Sequence, residues 1–236
     1  KYNFCPDMGR LRDSIGNPKI AGRPYALAGD AGLVMCTWPK GGKRDDWEKH
    51  WQFGYFNECM TGFEYQAAGH MVWESAWDSK LLEKGLAVTR AIHDRYHASM
   101  RNPYNEIECS DHYARAMASY GVFLAACGFE YDGPDGHIGF APRLTPNNFS
   151  AAFTTAEGWG TYEQQLNHDR LLAKIHLAWG KLALNTISLS ASERSVTTVT
   201  VGGKPVSFKQ HDERIELDLS NTLLLSAGDA IEIAVE

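Results

Sequence analysis

The hydrophobic pattern of this chain changes its period near residues 131–136, and this change limits the possible folds more than any other feature of the sequence. Upstream of it, apolar residues recur three and four positions apart, which is typical of helices with one buried face. Downstream, apolar residues alternate with polar or small ones, as in the run Ile175, Leu177 and Trp179, which is typical of half-buried strands. The sequence therefore predicts an α+β protein, with helices first and antiparallel β-strands after them.

Three helices are predicted upstream of the change in period, over residues 55–77, 79–99 and 112–127. Gly128 follows the last of them, at the position where glycine commonly ends a helix. Glu64 lies close to the apolar stripe of the first helix. A carboxylate in such a place needs a partner, so Glu64 either forms an ordinary ion pair with an arginine elsewhere or belongs to a functional site.

The downstream region predicts strands over residues 149–155, 158–165 and 171–179, followed by further alternating segments. Gly202 and Gly203 separate two of these segments and predict a hairpin turn of the primed type. Because antiparallel strands commonly bury one face only, we expect an antiparallel sheet that packs on the helices or on another part of the protein.

Two aromatic positions offer a platform for a sugar ring, since the apolar face of a pyranose packs well on an aromatic side chain. One is Trp38, which precedes Pro39, and the other is Trp159 together with Tyr162 in the β-rich region. Ordinary packing, in a core for Trp38 and in a sheet for Trp159 and Tyr162, is the alternative interpretation of each.

The composition excludes several classes of partner. The chain has 236 residues, a net charge of −6 and no cluster of Lys and Arg, so neither a nucleic acid nor an anionic membrane surface is expected. No apolar run is long enough for a transmembrane segment. The sequence predicts no particular cellular compartment.

Metal and cysteine chemistry are not expected either. Five cysteines occur singly, without the CxxC pairs of zinc sites. Cys109 lies between the acidic residues Glu108 and Asp111, which disfavour a thiolate, so it is not a candidate nucleophile. His93 and His97 share a helix face, but no third ligand accompanies them, so neither a metal nor a cofactor is predicted.

The candidate site is the stretch 102–115, where ionisable and aromatic residues are concentrated. Pro103 disfavours a helix at the residue before it, so the segment up to residue 109 should be a loop. Ser110 or Asp111 can then cap a helix that begins near His112.

Glu106, Glu108 and Asp111 lie in or next to this loop, and Arg115 is expected just inside the helix that follows. Carboxylates accept several directed hydrogen bonds and a guanidinium donates several, so the group could hold a polyhydroxylated ligand. The alternative is a capped helix N-terminus whose acidic residues interact with the helix dipole and form one surface ion pair.

The run Asn-Pro-Tyr-Asn-Glu-Ile-Glu-Cys-Ser-Asp-His-Tyr-Ala-Arg-Ala-Met-Ala-Ser-Tyr-Gly at residues 102–121 resembles glycoside hydrolase family 116. That family includes the non-lysosomal glucosylceramidases and bacterial and archaeal β-glucosidases. Residues 25–39 and 57–66 resemble it as well, in the same order along the chain. The resemblance covers about the first 140 residues.

This resemblance implies that residues 1–140 are the C-terminal part of a catalytic domain that is an (α/α)6 toroid of helices, followed by a β-rich region at 141–236. It implies that Glu106 and Arg115 hold the non-reducing sugar of the substrate. Glu58 aligns with an acidic residue near the mouth of the family's active site. Met60 stands where many relatives carry an aromatic residue, so the contacts to the leaving group should differ.

The family's nucleophilic Glu and its acid/base Asp lie upstream of every segment that matches here, so no catalytic residue is assigned in this chain. We therefore expect the C-terminal part of a retaining β-glycosidase, a glycoside hydrolase of O-glycosyl bonds that resembles β-glucosidases and glucosylceramidases. Its expected partners are the upstream segment of the same enzyme and a β-glucoside or related glycoside. The alternative is a non-catalytic carbohydrate-binding or scaffold module.

Overall fold

A computed structural model describes residues 1–14, 26–107, 113–167, 170–191 and 195–236 of the chain. Over these residues the protein is mixed α/β, with an extensive β-sheet and few helices, and it divides into two compact units, Lys1–Phe123 and Leu124–Glu236. No helical toroid is evident in this described part. The assignment of residues 1–140 to a catalytic domain and 141–236 to a β-rich region stays a prediction.

The first unit holds short strands and the helices. Its elements are β1 (Phe4–Cys5), α1 (Met8–Ser14), β2 (Gly32–Leu33), a 3-10 turn (Trp47–Lys49), α2 (Phe53–Phe56), α3 (Thr61–Glu74), α4 (Lys80–Arg95), a second 3-10 turn (Ala116–Ala118) and α5 (Ser119–Cys127), whose last residues belong to the second unit. Helices α3 and α4 pack against each other. None of the described helices is long and apolar enough to cross a membrane.

The predicted helix over residues 55–77 is interrupted, because residues 57–60 separate α2 from α3 and Met60 is extended, with φ −120° and ψ 105°. Cys59 pairs with Val34 in an isolated β-bridge, and the Met35 amide donates to the Glu58 carbonyl at 3.1 Å. This pairing with a distant segment replaces one turn of helix. The buried face of α3 also differs from the predicted stripe, since Phe63 is 52% exposed whereas Glu64 is buried.

The third predicted helix also begins later than expected. Arg115 precedes the second 3-10 turn with φ −122° and ψ 17°, so it is not inside a helix. The carbonyl of Tyr113 accepts a hydrogen bond from the Glu106 amide at 2.5 Å, which keeps the chain beside the candidate loop instead of turning it into a helix. The proposed caps Ser110 and Asp111, together with His112, lie outside the described residues.

The second unit is built from strands, and it follows the predicted alternation closely. Its strands are β3 (Glu130–Asp132), β4 (His137–Phe140), β5 (Asn148–Thr154), β6 (Gly158–Leu166), β7 (Leu171–Ser190), β8 (Val199–Val201), β9 (Lys204–Pro205), β10 (Ser207–His211), β11 (Arg214–Ser226) and β12 (Ala230–Val235). Gly202 and Gly203 join β8 to β9 with φ values of 56° and 75°, which confirms the predicted primed turn.

Strand β7 is the element that organises this unit. Its first half pairs with β6 and β12, and its second half pairs antiparallel with β11 and parallel with β4. Its inward side chains lie in one continuous core, which buries apolar surface worth about 1.5–3 kcal/mol per large aliphatic side chain. The members that β7 contributes are Leu171, Ala173, Ile175, Leu177, Leu182, Leu184, Ile187 and Leu189.

Trp179 does not share the face of Ile175 and Leu177, although the alternation predicts that it should. The partner of Trp159 across the two strands is Trp179, whereas the partner of the next residue, Gly160, is Leu177. Ala178 is therefore an extra residue, a β-bulge that turns Trp179 away from the core.

Candidate functional site

The first unit contains a cavity of about 230 Å3 beside the candidate loop. Helix α3 contributes Thr61 and Tyr65 to its wall, and α4 contributes His93, followed by Tyr96 just beyond the helix. Residues 103–106 and 114–116 complete the wall. Glu106 and Arg115, which the sequence singles out, therefore line the same cavity.

Glu106 is 2% exposed, and its carboxylate is fixed by the start of α3. Its Oε1 accepts hydrogen bonds from the Thr61 hydroxyl at 2.7 Å and from the Thr61 amide at 3.4 Å. The first amides of a helix lack partners within the helix, and Met60 at the N-cap makes no side-chain capping bond. Glu106 thus caps α3 from a distant loop, in a place where the helix dipole favours a negative charge.

Tyr96 holds the same carboxylate from α4. Its hydroxyl lies 2.7 Å from the Thr61 hydroxyl and 3.3 Å from Glu106 Oε1, which accepts a hydrogen bond from it. Burial raises the pKa of Tyr96 to about 12, so the hydroxyl keeps its proton at neutral pH. Thr61 and Tyr96 together restrict the position of the Glu106 carboxylate.

A buried ion pair between α3 and α4 lies next to Thr61, the residue that holds Glu106. Arg95 Nη1 donates to Glu64 Oε1 at 2.9 Å, and Arg95 Nη2 donates to Glu64 Oε2, with both residues 1% exposed. Burial by itself would lower the pKa of Arg95, but the hydrogen bonds and charge of Glu64 outweigh burial and raise it above its usual range. Of the two interpretations of Glu64, the ion pair with a distant arginine is confirmed, and this pair is fully buried. Arg95 Nη2 also lies 3.5 Å from the Thr61 hydroxyl.

Sequence reasoning missed Arg95 as a member of this group, although the pattern of α4 contains a signal. Val88 and Ile92, seven and three positions before Arg95, are both buried. Residues at these spacings share one helix face, so the pattern places a cation on the buried side of α4. Such a cation indicates a buried carboxylate nearby.

Arg115 is half-buried, and its guanidinium lies over the ring of Tyr113. The carbon atom of that guanidinium is 4.8 Å from the ring centroid, and Nη2 donates to the Tyr113 hydroxyl at 3.3 Å. The aliphatic part of Arg115 passes close to Gly62, where an added Cβ would lie 2.9 Å from its Cδ. The absence of a side chain at Gly62 therefore leaves room for Arg115 beside the start of α3.

Glu58 is also buried, at 1% exposure, but it is not among the described residues that line the cavity. Glu108, Cys109 and Asp111 lie outside the described residues. His93 lines the cavity, and no group of three potential metal ligands occurs in the described part of the chain.

The two aromatic positions that were candidates for stacking on a sugar, Trp38 and Trp159 with Tyr162, differ in their packing. Trp38 packs against Trp47, Phe53 and Phe56 with ring centroids 5.5–6.0 Å apart, as its core-packing interpretation predicts. Tyr162 does not lie beside Trp159, because residues three apart in a strand face opposite sides. Its alternative interpretation, packing within the sheet, is confirmed.

Tyr162 is fully buried and stacks on Phe140 with a centroid distance of 3.9 Å. Burial raises the pKa of its hydroxyl. Trp159, by contrast, is 51% exposed, so only one member of the expected pair is available to a ligand.

The similarity of this chain to known proteins is weak. No family model matches the chain, and no curated protein matches it. Among solved structures, an alpha-L-rhamnosidase from Dictyoglumus thermophilum aligns with a TM-score of 0.33 and 15% sequence identity, over 53% of this chain and 14% of that one. The chain thus matches only a small part of the rhamnosidase, and a likeness at this level assigns it neither a fold family nor an activity.

The buried ion pair generates a stability prediction. We expect Arg95→Met to lower the free energy of unfolding by about 3–5 kcal/mol, because it leaves the Glu64 carboxylate buried without its cation. Combining it with Glu64→Leu should cost less than the sum of the two single changes, since the double variant buries no lone charge. Urea unfolding of the three variants measures both effects.

Arg90→Met is the matched control, because Arg90 pairs with Asp94 on the exposed side of the same helix, where its side chain is 75% exposed. This change should leave the unfolding midpoint nearly unchanged. An equal decrease in the free energy of unfolding for Arg95→Met and Arg90→Met would contradict a structural role for the buried pair.

Proposed function

We propose that this chain forms the sugar-binding part of a retaining β-glycosidase of the β-glucosidase or glucosylceramidase type. The observation that carries the proposal is the presence of Glu106 and Arg115 on the wall of one cavity. These are the two residues that, by resemblance to glycoside hydrolase family 116, hold the non-reducing sugar of the substrate.

The chemistry of the cavity suits a sugar ring. A carboxylate has about four acceptor sites, and Thr61 and Tyr96 occupy those of one oxygen of Glu106, so others remain for hydroxyl groups. Arg115 brings several N–H donors of fixed geometry to the same wall. The volume of about 230 Å3 is below the roughly 300–1,000 Å3 of pockets for drug-sized ligands and fits one monosaccharide better than a long chain.

In this proposal the chain positions the substrate, and another part of the enzyme breaks the bond. Of two carboxylates in an upstream segment, one attacks the anomeric carbon and the other protonates the leaving oxygen. Glu106 and Arg115 contribute by fixing the ring relative to those groups. Glu58 is a third candidate for contact with the substrate, and only the resemblance supports it.

The proposed toroid would also account for apolar surface on the first unit. Phe63 on α3 is 52% exposed, and Met117 in the second 3-10 turn is 80% exposed. Large apolar side chains on a helical surface are commonly covered by neighbouring elements. Additional helices of an (α/α)6 domain would provide that cover.

Kinetics of the full-length protein test the proposal. We expect Glu106→Gln and Arg115→Lys each to lower kcat/KM for an aryl β-glucoside by about ten- to a hundredfold, because each removes charge-assisted hydrogen bonds to sugar hydroxyls. The double variant should lose less than the product of the two single losses, since both side chains hold one ligand.

The exposed pair on α4 provides matched controls, and Arg90→Lys and Asp94→Asn make the same chemical changes outside the cavity. Their kcat/KM should stay at the wild-type value. If Glu106→Gln and Arg115→Lys remain folded with unchanged kinetics, the two residues do not bind the substrate. A full-length protein with no activity on any glycoside would instead favour a non-catalytic carbohydrate-binding module.

The position of Glu106 gives a second kinetic prediction. Thr61→Val keeps the shape of the side chain but removes the hydroxyl that donates to Glu106, whereas Thr61→Ser keeps the hydroxyl. We expect kcat/KM to fall about tenfold or more in Thr61→Val and to stay near the wild-type value in Thr61→Ser. Equal kinetics in the two folded variants would show that this hydrogen bond does not position the carboxylate.

A further inference from the structure

Two exposed tryptophans are cross-strand neighbours on the outward face of the sheet in the second unit. Trp159 on β6 and Trp179 on β7 are direct cross-strand partners, which places their Cβ atoms about 5 Å apart. Trp159 is 51% exposed and Trp179 is 61% exposed. Most tryptophans are largely buried, so an adjacent pair in solvent requires an explanation.

The bulge at Ala178 creates this pair. Without the extra residue, Trp179 would continue the inward series of Ile175 and Leu177 and would point into the core. Bulges of this kind re-aim side chains and occur often beside functional sites. The strand therefore departs from regular geometry at the one residue where this departure exposes a tryptophan beside Trp159.

The same face of the sheet also carries a groove of about 350 Å3, lined by both charged and apolar side chains. Glu163 on β6, Lys174 on β7 and Glu232 on β12 are neighbours in register and line this groove. Glu163 lies four residues from Trp159 along β6, a distance of about 13 Å. The two tryptophans and the groove thus lie on the same face of these strands, with the Thr161 and His176 pair between them.

The charges of the groove indicate what kind of ligand it suits. Both signs of charge line the groove, with the carboxylates of Glu163 and Glu232 and the cations Lys174 and Arg170. Arg170 also pairs with Glu236, at 3.2 Å. A polyanion or a polycation would meet like charges here, whereas a neutral ligand with many hydroxyl groups can use both donors and acceptors. The core of a protein interface is depleted in charged residues, and this groove is not.

We propose that the outer face of β6, β7 and β12 binds a neutral polysaccharide, separately from the cavity beside Glu106. The Trp159 and Trp179 rings pack on the apolar face of a sugar ring, and the groove hydrogen-bonds the hydroxyls of rings further along the chain. This site is in the second unit and does not depend on the proposed glycosidase activity. It would hold the protein on a polymeric carbohydrate.

Affinity electrophoresis of the full-length protein tests this site. Native gels containing hydroxyethylcellulose, barley β-glucan or galactomannan supply neutral polymers, and polygalacturonate supplies a charged one. We expect at least one neutral polymer to retard the wild-type protein, with little dependence on salt, and polygalacturonate not to do so. Trp159→Ala and Trp179→Ala should each raise the apparent Kd about tenfold or more, whereas Trp179→Tyr, which keeps an aromatic ring, should retain most of the binding.

Two controls separate this site from the rest of the molecule. Trp77→Ala removes an indole that is 82% exposed in the first unit, and Arg115→Lys alters the cavity, so both should leave the retardation unchanged. The proposal is overturned if no neutral polymer retards the wild-type protein, or if the polymer retards Trp179→Ala as strongly as it retards the wild-type protein. If Arg115→Lys abolishes the retardation, the polysaccharide binds in the cavity and the proposal is wrong. If Trp179→Ala dissociates a dimer without changing the retardation, this face is a self-association surface and the proposal is likewise wrong.

Discussion

The ion pair buried between α3 and α4 is the interaction on which the candidate site depends. Removing two charges from water costs several kcal/mol for each ion, so such a pair persists only with good geometry and additional partners. Glu64 has those partners, because its Oε1 also accepts from the Leu33 amide at 2.7 Å, and Arg95 also donates to the Ala31 carbonyl at 2.9 Å. The pair therefore fixes two helices and the segment around β2 in one arrangement.

The position of Glu106 follows from this arrangement through Thr61, the first residue of α3. The Thr61 hydroxyl lies within reach of Arg95 and Tyr96, and it donates to Glu106 at 2.7 Å. A carboxylate with a fixed oxygen can present its remaining acceptor sites to a ligand in a defined direction, which lowers the entropy lost on binding. Structural capping of α3 and ligand binding are thus compatible roles for the same side chain.

The sequence predicts what is local and misses what depends on distant partners. Helix α4 and the strands of the second unit were predictable because their hydrophobic periods are regular over many residues. The break before α3 was not, since it depends on pairing between Cys59 and Val34. The ion pair of Arg95 and the outward orientation of Trp179 also depend on neighbouring elements. By contrast, the period of a strand is enough to predict that Trp159 and Tyr162 lie on opposite faces of β6.

A crystal structure of the full-length protein with a glucose-configured iminosugar such as 1-deoxynojirimycin tests the central claim most directly. The account predicts one sugar-like ring in the cavity, with oxygens of the Glu106 carboxylate and nitrogens of the Arg115 guanidinium within about 3.2 Å of its hydroxyl groups. Thr61 and Tyr96 should keep their hydrogen bonds to Glu106 in that complex. A ring bound without contact to Glu106 or Arg115 would contradict the account, as would a cavity that stays empty at saturating ligand.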